Sequence, residues 1–238
     1  MVALQMSIGT LNDLLDAAHD AGRIPPKPIP AGLVSAAAAR TVWVGTGVLG
    51  LLLILPSGAL TLAVALLGLA IGYGYDRFAK GTAWSWLPFA IGIPLVPVFG
   101  WVGTGQPLPA SFAVLVPCAM LAGAAIAIAN ASADVELDTA SGSVSVAARL
   151  GLERAWLLHA ALLGVAVAVV LWTLMASGPE IGPVVAAIAG VAVVLGGVTL
   201  GATVGERRAS PGQRRLAWEM EAAGLGVVAT AWLVGLAG

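Results

Sequence analysis

Apolar residues run almost unbroken through seven stretches of the chain, roughly 34–55, 58–75, 85–103, 109–130, 155–176, 182–204 and 216–237. Crossing about 30 Å of hydrocarbon takes about 20 mostly apolar residues in helical form. The pattern therefore predicts an all-α membrane protein, a multi-helix transmembrane bundle. Turn signals or charges separate the stretches: Pro56-Ser57-Gly58, the segment Asp76 to Gly81, Gly105-Gln106-Pro107, the acidic loop from Asp134, Ser177-Gly178-Pro179-Glu180, and the charged segment around Pro211-Gly212. Ahead of them, the uncharged run Met1 to Leu11 supplies only about 16 Å of helix at 1.5 Å per residue. It reads as the cytoplasmic end of a helix whose outer half is absent from this chain. The expected organisation is one transmembrane domain over residues 1–238, with seven full helices and an N-terminal partial helix.

Composition agrees with lipid as the solvent. Of the residues, 59% are hydrophobic and 10% charged, against about 25% charged in ordinary soluble domains. That excludes an ordinary soluble enzyme, a disordered chain and a disulfide scaffold. Cys118 is the single cysteine, lies in an apolar run, and reads as a small core residue. A net charge of -1 gives no reason to expect a nucleic-acid partner. The first residues lack the basic region of a cleavable signal.

If the stretches cross alternately, all 11 basic residues fall on one face: Arg23, Lys27, Arg40, Arg77, Lys80, Arg149, Arg154, Arg207, Arg208, Arg214 and Arg215. Lysine and arginine mark the cytoplasmic side, so that face is expected in the cytoplasm and the C-terminus opposite. Arg40, a little inside its helix, can snorkel back to the interface.

An internal repeat carries the candidate chemistry. Asn12, Asp16 and Asp20 share the spacing N-x3-D-x3-D with Asn130, Asp134 and Asp138, and both copies follow an apolar helix. Positions i, i+4 and i+8 project from one helix face, so each copy is expected to offer an amide oxygen and two carboxylates in a row. Such oxygens suit magnesium, which takes one or two carboxylates and completes its shell with water and substrate phosphates. Two such rows facing each other would hold a diphosphate between metal ions. The bland alternative is a pair of solvated acidic helix ends. Against it, an aspartate near hydrocarbon costs on the order of 3 kcal/mol, and polar groups at such depth usually line a functional cavity.

Cations stand near both copies in sequence: Arg23 and Lys27 after the first, Arg77 and Lys80 in the next loop on that face, and Arg149 after the second. They could neutralise phosphate oxygens that a metal leaves free, or could simply report positive-inside topology. Tyr75 could orient an acceptor or stabilise a cation through its ring, or belong to the interfacial aromatic belt. His159 reads as a hydrogen-bonded packing residue. Glu219 and Glu221 are expected to pair with Arg214 and Arg215 in a surface charge cluster. Belt anchoring is expected to account for most of the eight tryptophans.

Together these residues resemble the UbiA family of intramembrane prenyltransferases. Asn12, Asp13, Asp16 and Asp20 match its NDxxDxxxD motif. Lys27-Pro28-Ile29-Pro30-Ala31-Gly32 is similar to its RPxxxG segment, and Tyr75 to Lys80 to its Y-x4-K loop. Asp134 to Asp138 resembles its second DxxxD, followed by Gly142 and Leu150-Gly151. The resemblance implies nine transmembrane helices around a cavity opening toward the cytoplasm; with its partial helix this chain offers eight. The family's first helix and half of its second lack a counterpart, for which a misassigned start codon is the simplest explanation. Ala21 replaces a frequent arginine, and Lys27 stands where arginine is usual.

The implied activity is Mg2+-dependent. An isoprenoid diphosphate loses its diphosphate, and the allylic cation alkylates an aromatic or other small acceptor. In that reading Asn12, Asp16, Asp134 and Asp138 hold the metal, with Asp20 completing the first row, Asp13 behind it and Asn130 heading the second. Asp16, Asp134, Tyr75 and Lys80 carry catalysis, while Lys27, Arg77, Lys80, Arg23 and Arg149 bind the diphosphate. The implied partners are an isoprenoid diphosphate, an unidentified acceptor and the lipid bilayer of the cell membrane. A polytopic transporter is the competing class and would predict polar groups near mid-bilayer; a truncated, non-catalytic relative is the third reading. A phosphatidyl-type transferase is disfavoured, because the chain has no D-x2-D-G-x2-A-R run.

Overall fold

The structure, a computed structural model, describes residues 1–18, 20–21, 26–140 and 142–237, and among these it contains helices and no strands. The helices are α1 (Val2–Asp16), α2 (Ala36–Ile54), α3 (Ala59–Gly74), α4 (Leu87–Val102), α5 (Phe112–Ala133), the short α6 (Val135–Ala140) and α7 (Val146–Leu150), then α8 (Leu152–Ala176), α9 (Ile181–Leu200) and α10 (Pro211–Ala237). Among the described residues six spans, built on α2, α3, α5, α8, α9 and α10, are long and apolar enough to cross a membrane. The stretch predicted at 85–103 becomes the 16-residue α4.

Local chemistry sets these boundaries. Ser35 caps α2, its Oγ accepting from the Ala38 amide at 3.1 Å. Pro56 cannot continue the helix, and Gly58 at φ +93° makes the turn into α3. The N-terminal helix ends at Asp16, short of the third member of the row at Asp20, and carries the first acidic residues on its last turn. Large apolar side chains face outward, among them Leu53 at 66% exposure, Ile188 at 62% and Trp172 at 72%. That is the inverse of a water-soluble surface and fits a lipid environment.

The chain divides into two compact units, one of Met1–Lys80 with Leu95–Leu108 and one of Gly81–Pro94 with the chain from Pro109 onward. The first division inside a helix falls at Pro94–Leu95 of α4, where Pro94 and Pro97 each remove a backbone donor.

In the first unit α1 packs on α2 and α3 around Leu4, Ile54, Ala65 and Leu69. Glycines permit the approach: a Cβ on Gly50 would lie 2.5 Å from Leu4 Cδ2, and one on Gly72 2.7 Å from Ile8 Cδ1. A polar latch fixes the register. Ser7, fully buried on α1, lies 2.7 Å from the Trp43 carbonyl of α2 and 2.6 Å from the Tyr73 hydroxyl of α3. Trp43 and Tyr73 meet edge to face at 6.1 Å.

The second unit packs α5 on α8 and α9 on α10, with Ala125, Leu163 and Val194 at its centre. Trp232 is 1% exposed and donates to Thr173 Oγ1 at 2.8 Å, so this tryptophan is a core residue and not a belt anchor. Gly190 and Gly224 bring α9 and α10 into backbone contact. A Cβ on Gly224 would sit 2.7 Å from the Gly190 carbonyl oxygen and 2.9 Å from the Val194 nitrogen. Because backbone cannot rotate aside, Gly224→Ala is expected to destabilise the protein by roughly 1–3 kcal/mol, read as a lower melting temperature in detergent; Gly226→Ala, which has open space, serves as the control.

Candidate active site

The acidic repeat of the sequence is a repeat of local structure. In the first copy α1 passes through Asn12 and ends at Asp16, and the Asp20 amide donates back to the Asp16 carbonyl at 2.8 Å. In the second, α5 passes through Asn130 and Asp134 is its C-cap, at φ −104° and ψ 7°. There the Asp138 amide donates to the Asp134 carbonyl at 2.9 Å. The first row is thus helical through Asn12 and Asp16, with Asp20 on a turn past the end of α1, whereas the second breaks at Asp134 and resumes in α6, which carries Asp138. This corrects the expectation of three groups along one continuous helix face. Aspartate competes with helix through its own backbone contacts, which favours a break at these positions.

Asp13 and Asp16 lie at the C-terminus of α1 and Asp134 at that of α5, the negative end of the macrodipole, where carboxylates are disfavoured and cations favoured; Asp138 lies in the short α6. In the first unit lysines answer that field. Lys80 pairs with Asp16. Lys27 bridges Asp13 at 3.0 Å and Asp20 at 2.7 Å. Burial opposes the charge on Lys27, but hydrogen bonds and attraction from Asp20 and Asp13 outweigh it and hold the ammonium above its ordinary value of 10.5. A folded value raised in this way contributes fully below the unfolded pKa and is lost only as pH rises through the folded one. The link therefore holds through neutral and mildly alkaline pH.

The loop after α3 delivers two side chains in register with α1. It forms a single π-turn, Tyr75–Ala79, closed by the Lys80 amide on the Tyr75 carbonyl at 2.9 Å. Asp76 and Lys80 thereby stand beside Asn12 and Asp16, each pair 64 residues apart in sequence, and Asn12 Nδ2 donates to Asp76 Oδ1 at 2.8 Å. Tyr75 opens the turn, half-buried, and Arg77 is exposed. Arg23 lies outside the described residues. The carboxylates thus fall into two sets, Asp13 and Asp20 on Lys27, and Asp16 on Lys80 beside Asp76 on the Asn12 amide.

In the second unit Arg149 is exposed at the edge of an open, apolar cavity of about 630 Å³. Trp84, Trp86, Met120, Ile128 and Leu162 also line it. Glu136, between the two carboxylates of the row, binds Arg214. The Arg214 guanidinium also donates to the Ser132 carbonyl in the last turn of α5 at 2.7 Å and to the Ala209 carbonyl at 2.5 Å. Within either unit, among the described residues, no three His, Cys, Asp or Glu side chains converge as a ready-made metal cluster. Each row alone offers too few ligands to close a shell, which fits magnesium's habit of leaving positions to water and phosphate.

The surface cluster expected around Arg214 resolves differently. Arg215 and Glu219 form the expected i,i+4 pair at 3.6 Å. Arg214, 5% exposed, turns inward to Glu136, and Glu221, 1% exposed, meets His159 at 3.3 Å. His159 is accordingly a hydrogen-bonded packing residue, as its position suggested.

Residues 1–217 match the UbiA prenyltransferase family. The chain belongs to that family. None of the curated proteins compared with it matches. The fold of this UbiA family member is similar to the apo structure of a UbiA homologue from Aeropyrum pernix K1, with a TM-score of 0.76 and 18% identity over 98% of this chain and 86% of that one. It is similar to a UbiA homologue from Archaeoglobus fulgidus bound to GPP and Mg2+, with a TM-score of 0.70 and 19% identity over 98% and 87% of the two chains. A structure described for digeranylgeranylglyceryl phosphate synthase in membranes gives a TM-score of 0.71 and 18% identity over 98% and 82%. Family and helices together make the protein a multi-pass membrane protein of the UbiA fold.

Two residues of this UbiA family member escaped the sequence reading. Asp76 was passed over between Tyr75 and Arg77, although its spacing from Lys80 repeats that of Asn12 from Asp16. Arg214 was assigned to Glu219 and Glu221, and besides the nearby Ala209 carbonyl its partners lie 78 and 82 residues away.

Proposed function

We propose that this protein transfers a prenyl group from an isoprenoid diphosphate to an aromatic or other small acceptor within the membrane, with magnesium as cofactor. The observation that carries the reading is the repeated acidic helix end: two rows of matched spacing, each starting in the last turn of an apolar helix and each closed by a backbone hydrogen bond from its third member to its second, with Asp16 and Asp134 where the helix field favours a cation. The GPP and Mg2+ bound by the Archaeoglobus fulgidus homologue are of the chemistry these donors suit. Magnesium, when bound, would neutralise charge developing on the departing diphosphate. Asn12, Asp13, Asp16 and Asp20 in the first row, and Asn130, Asp134 and Asp138 in the second, supply its oxygen ligands.

Lys80 and Lys27 hold their row in place and are positioned to take phosphate oxygens in exchange for carboxylates; Arg77, Arg23 and Arg149 add positive charge for the same anion. Tyr75 presents its ring at the head of the Lys80 turn, where it can face a cationic intermediate or the acceptor. The cavity beside Arg149 has the volume and apolar lining of a small-molecule site, with room for an isoprenoid chain. Excluding water there would protect a carbocation from hydrolysis. The whole chain works as one prenyltransferase domain of the cell membrane, its acidic motifs on the side that the 11 basic residues mark as cytoplasmic.

The test is prenyl transfer in membranes containing the full chain, with labelled isoprenoid diphosphates of several lengths and a panel of aromatic, sugar-phosphate and glycerol-phosphate acceptors. Magnesium-dependent formation of a labelled product, abolished by chelation, is the expected outcome. Absence of both product and released diphosphate across the panel would overturn the reading.

A further inference from the structure

We infer that Asp76 is a positioning residue that fixes the Asn12 amide so that its oxygen, and not its NH2, is presented for metal binding. The inference rests on the prenyl-transfer reading above and concerns how the first row is set.

An asparagine amide is two-faced: it donates from Nδ2 and accepts at Oδ1. A carboxylate only accepts, so Asp76 Oδ1, 2.8 Å from Asn12 Nδ2, can hold only the donating end. The opposite end, Oδ1, is thereby turned away from Asp76, and the reversed amide would set two oxygens against each other. The same contact explains the residue type at the head of the row. An aspartate at position 12 would face Asp76 as a like charge, whereas an amide meets it with a donor and still offers an oxygen.

The geometry is specific to this task. The π-turn from Tyr75 spaces Asp76 and Lys80 so that one meets Asn12 and the other Asp16. Both ligand candidates of α1 are therefore held by the same loop. The other Asp76 oxygen, Oδ2, is buried and has no hydrogen-bond partner among the described residues. Leaving a buried polar atom unpaired disfavours folding by about 1–3 kcal/mol, more when the group is charged. A fold needing only to tie this turn to α1 would be served by a neutral acceptor. A carboxylate can add attraction for a divalent cation and puts a one-way constraint on the amide.

The experiment uses the full chain in detergent with Mn2+ as probe, titrated by electron paramagnetic resonance in the presence of the thiolodiphosphate analogue of geranyl diphosphate. Asp76→Ala should weaken Mn2+ binding by about 10–100-fold, the range for partners that orient a metal ligand. In the transfer assay it should raise the Mg2+ requirement while kcat at saturating Mg2+ recovers. Asp76→Asn, isosteric and still able to accept from Asn12, should lose less. A lower melting temperature in both variants with wild-type Mn2+ affinity would overturn the inference and leave Asp76 a structural tie. Absence of Mn2+ binding in the wild type would overturn the prenyl-transfer reading and this inference together.

Discussion

Asp16→Asn and Asp134→Asn are each expected to lower kcat for prenyl transfer by at least about a hundredfold in membranes. Metal neutralisation of charge in a transition state contributes several kcal/mol, and each ~1.4 kcal/mol is a factor of ten in rate. Either substitution keeps shape and removes one anionic oxygen ligand, so the loss falls on the chemistry and not on packing. In the first row the change has a second consequence. Lys80 pairs with Asp16, and the neutral amide would leave its ammonium without that anchor, freeing the turn that carries Asp76. Asp16→Asn should therefore also raise the KM for the diphosphate, and Lys80→Met should reproduce that part alone. Rates unchanged in both aspartate variants would remove the two rows as the site.

Much of this architecture is written in the sequence because membrane helices obey a one-dimensional rule: length and apolarity suffice. Six of the seven stretches became helices of membrane-crossing length on that rule. The exception, 85–103, fell short because Pro88 starts the helix late, and Pro94 and Pro97 interrupt its hydrogen bonding. The acidic repeat was legible because its spacing is local. Its bend was not, because the helix ends of Asp16 and Asp134 carry no glycine or proline to announce them. Partnerships between elements were harder still. The i,i+4 rule found Arg215–Glu219, while Glu221, two residues further on, follows the inner face of α10 to His159 on α8. Only the packed helices decide which glutamate is surface and which is core. Asp76 failed for the same reason, since its role depends on a turn that brings residues 64 apart into contact.

Arg214→Ala is expected to cost about 2–4 kcal/mol of stability and to lower prenyl transfer beyond what that loss explains. The buried guanidinium satisfies three groups from separate segments: the Ser132 carbonyl at the end of α5, the Ala209 carbonyl before α10, and the Glu136 carboxylate on α6. Removing one partner of a buried charge pair costs about 3–5 kcal/mol. Here Glu136 is 53% exposed and can regain water, so the lower figure applies. What water cannot restore is the link between α5 and α6, the two helices that flank Asp134 and carry Asn130 and Asp138. With that link gone α6 loses its side-chain tie to the end of α5, and the spacing of the second row loosens. Arg214→Lys keeps the charge but loses the planar fork that reaches three acceptors at once, and should fall between. Glu136→Gln keeps an acceptor and should be mild. Chemical denaturation in detergent separates the stability term from the Mg2+ dependence of transfer, which a merely structural arginine would leave unchanged. If Arg214→Ala lowers the melting temperature without altering that dependence, the arginine braces the bundle and does not order the acidic row.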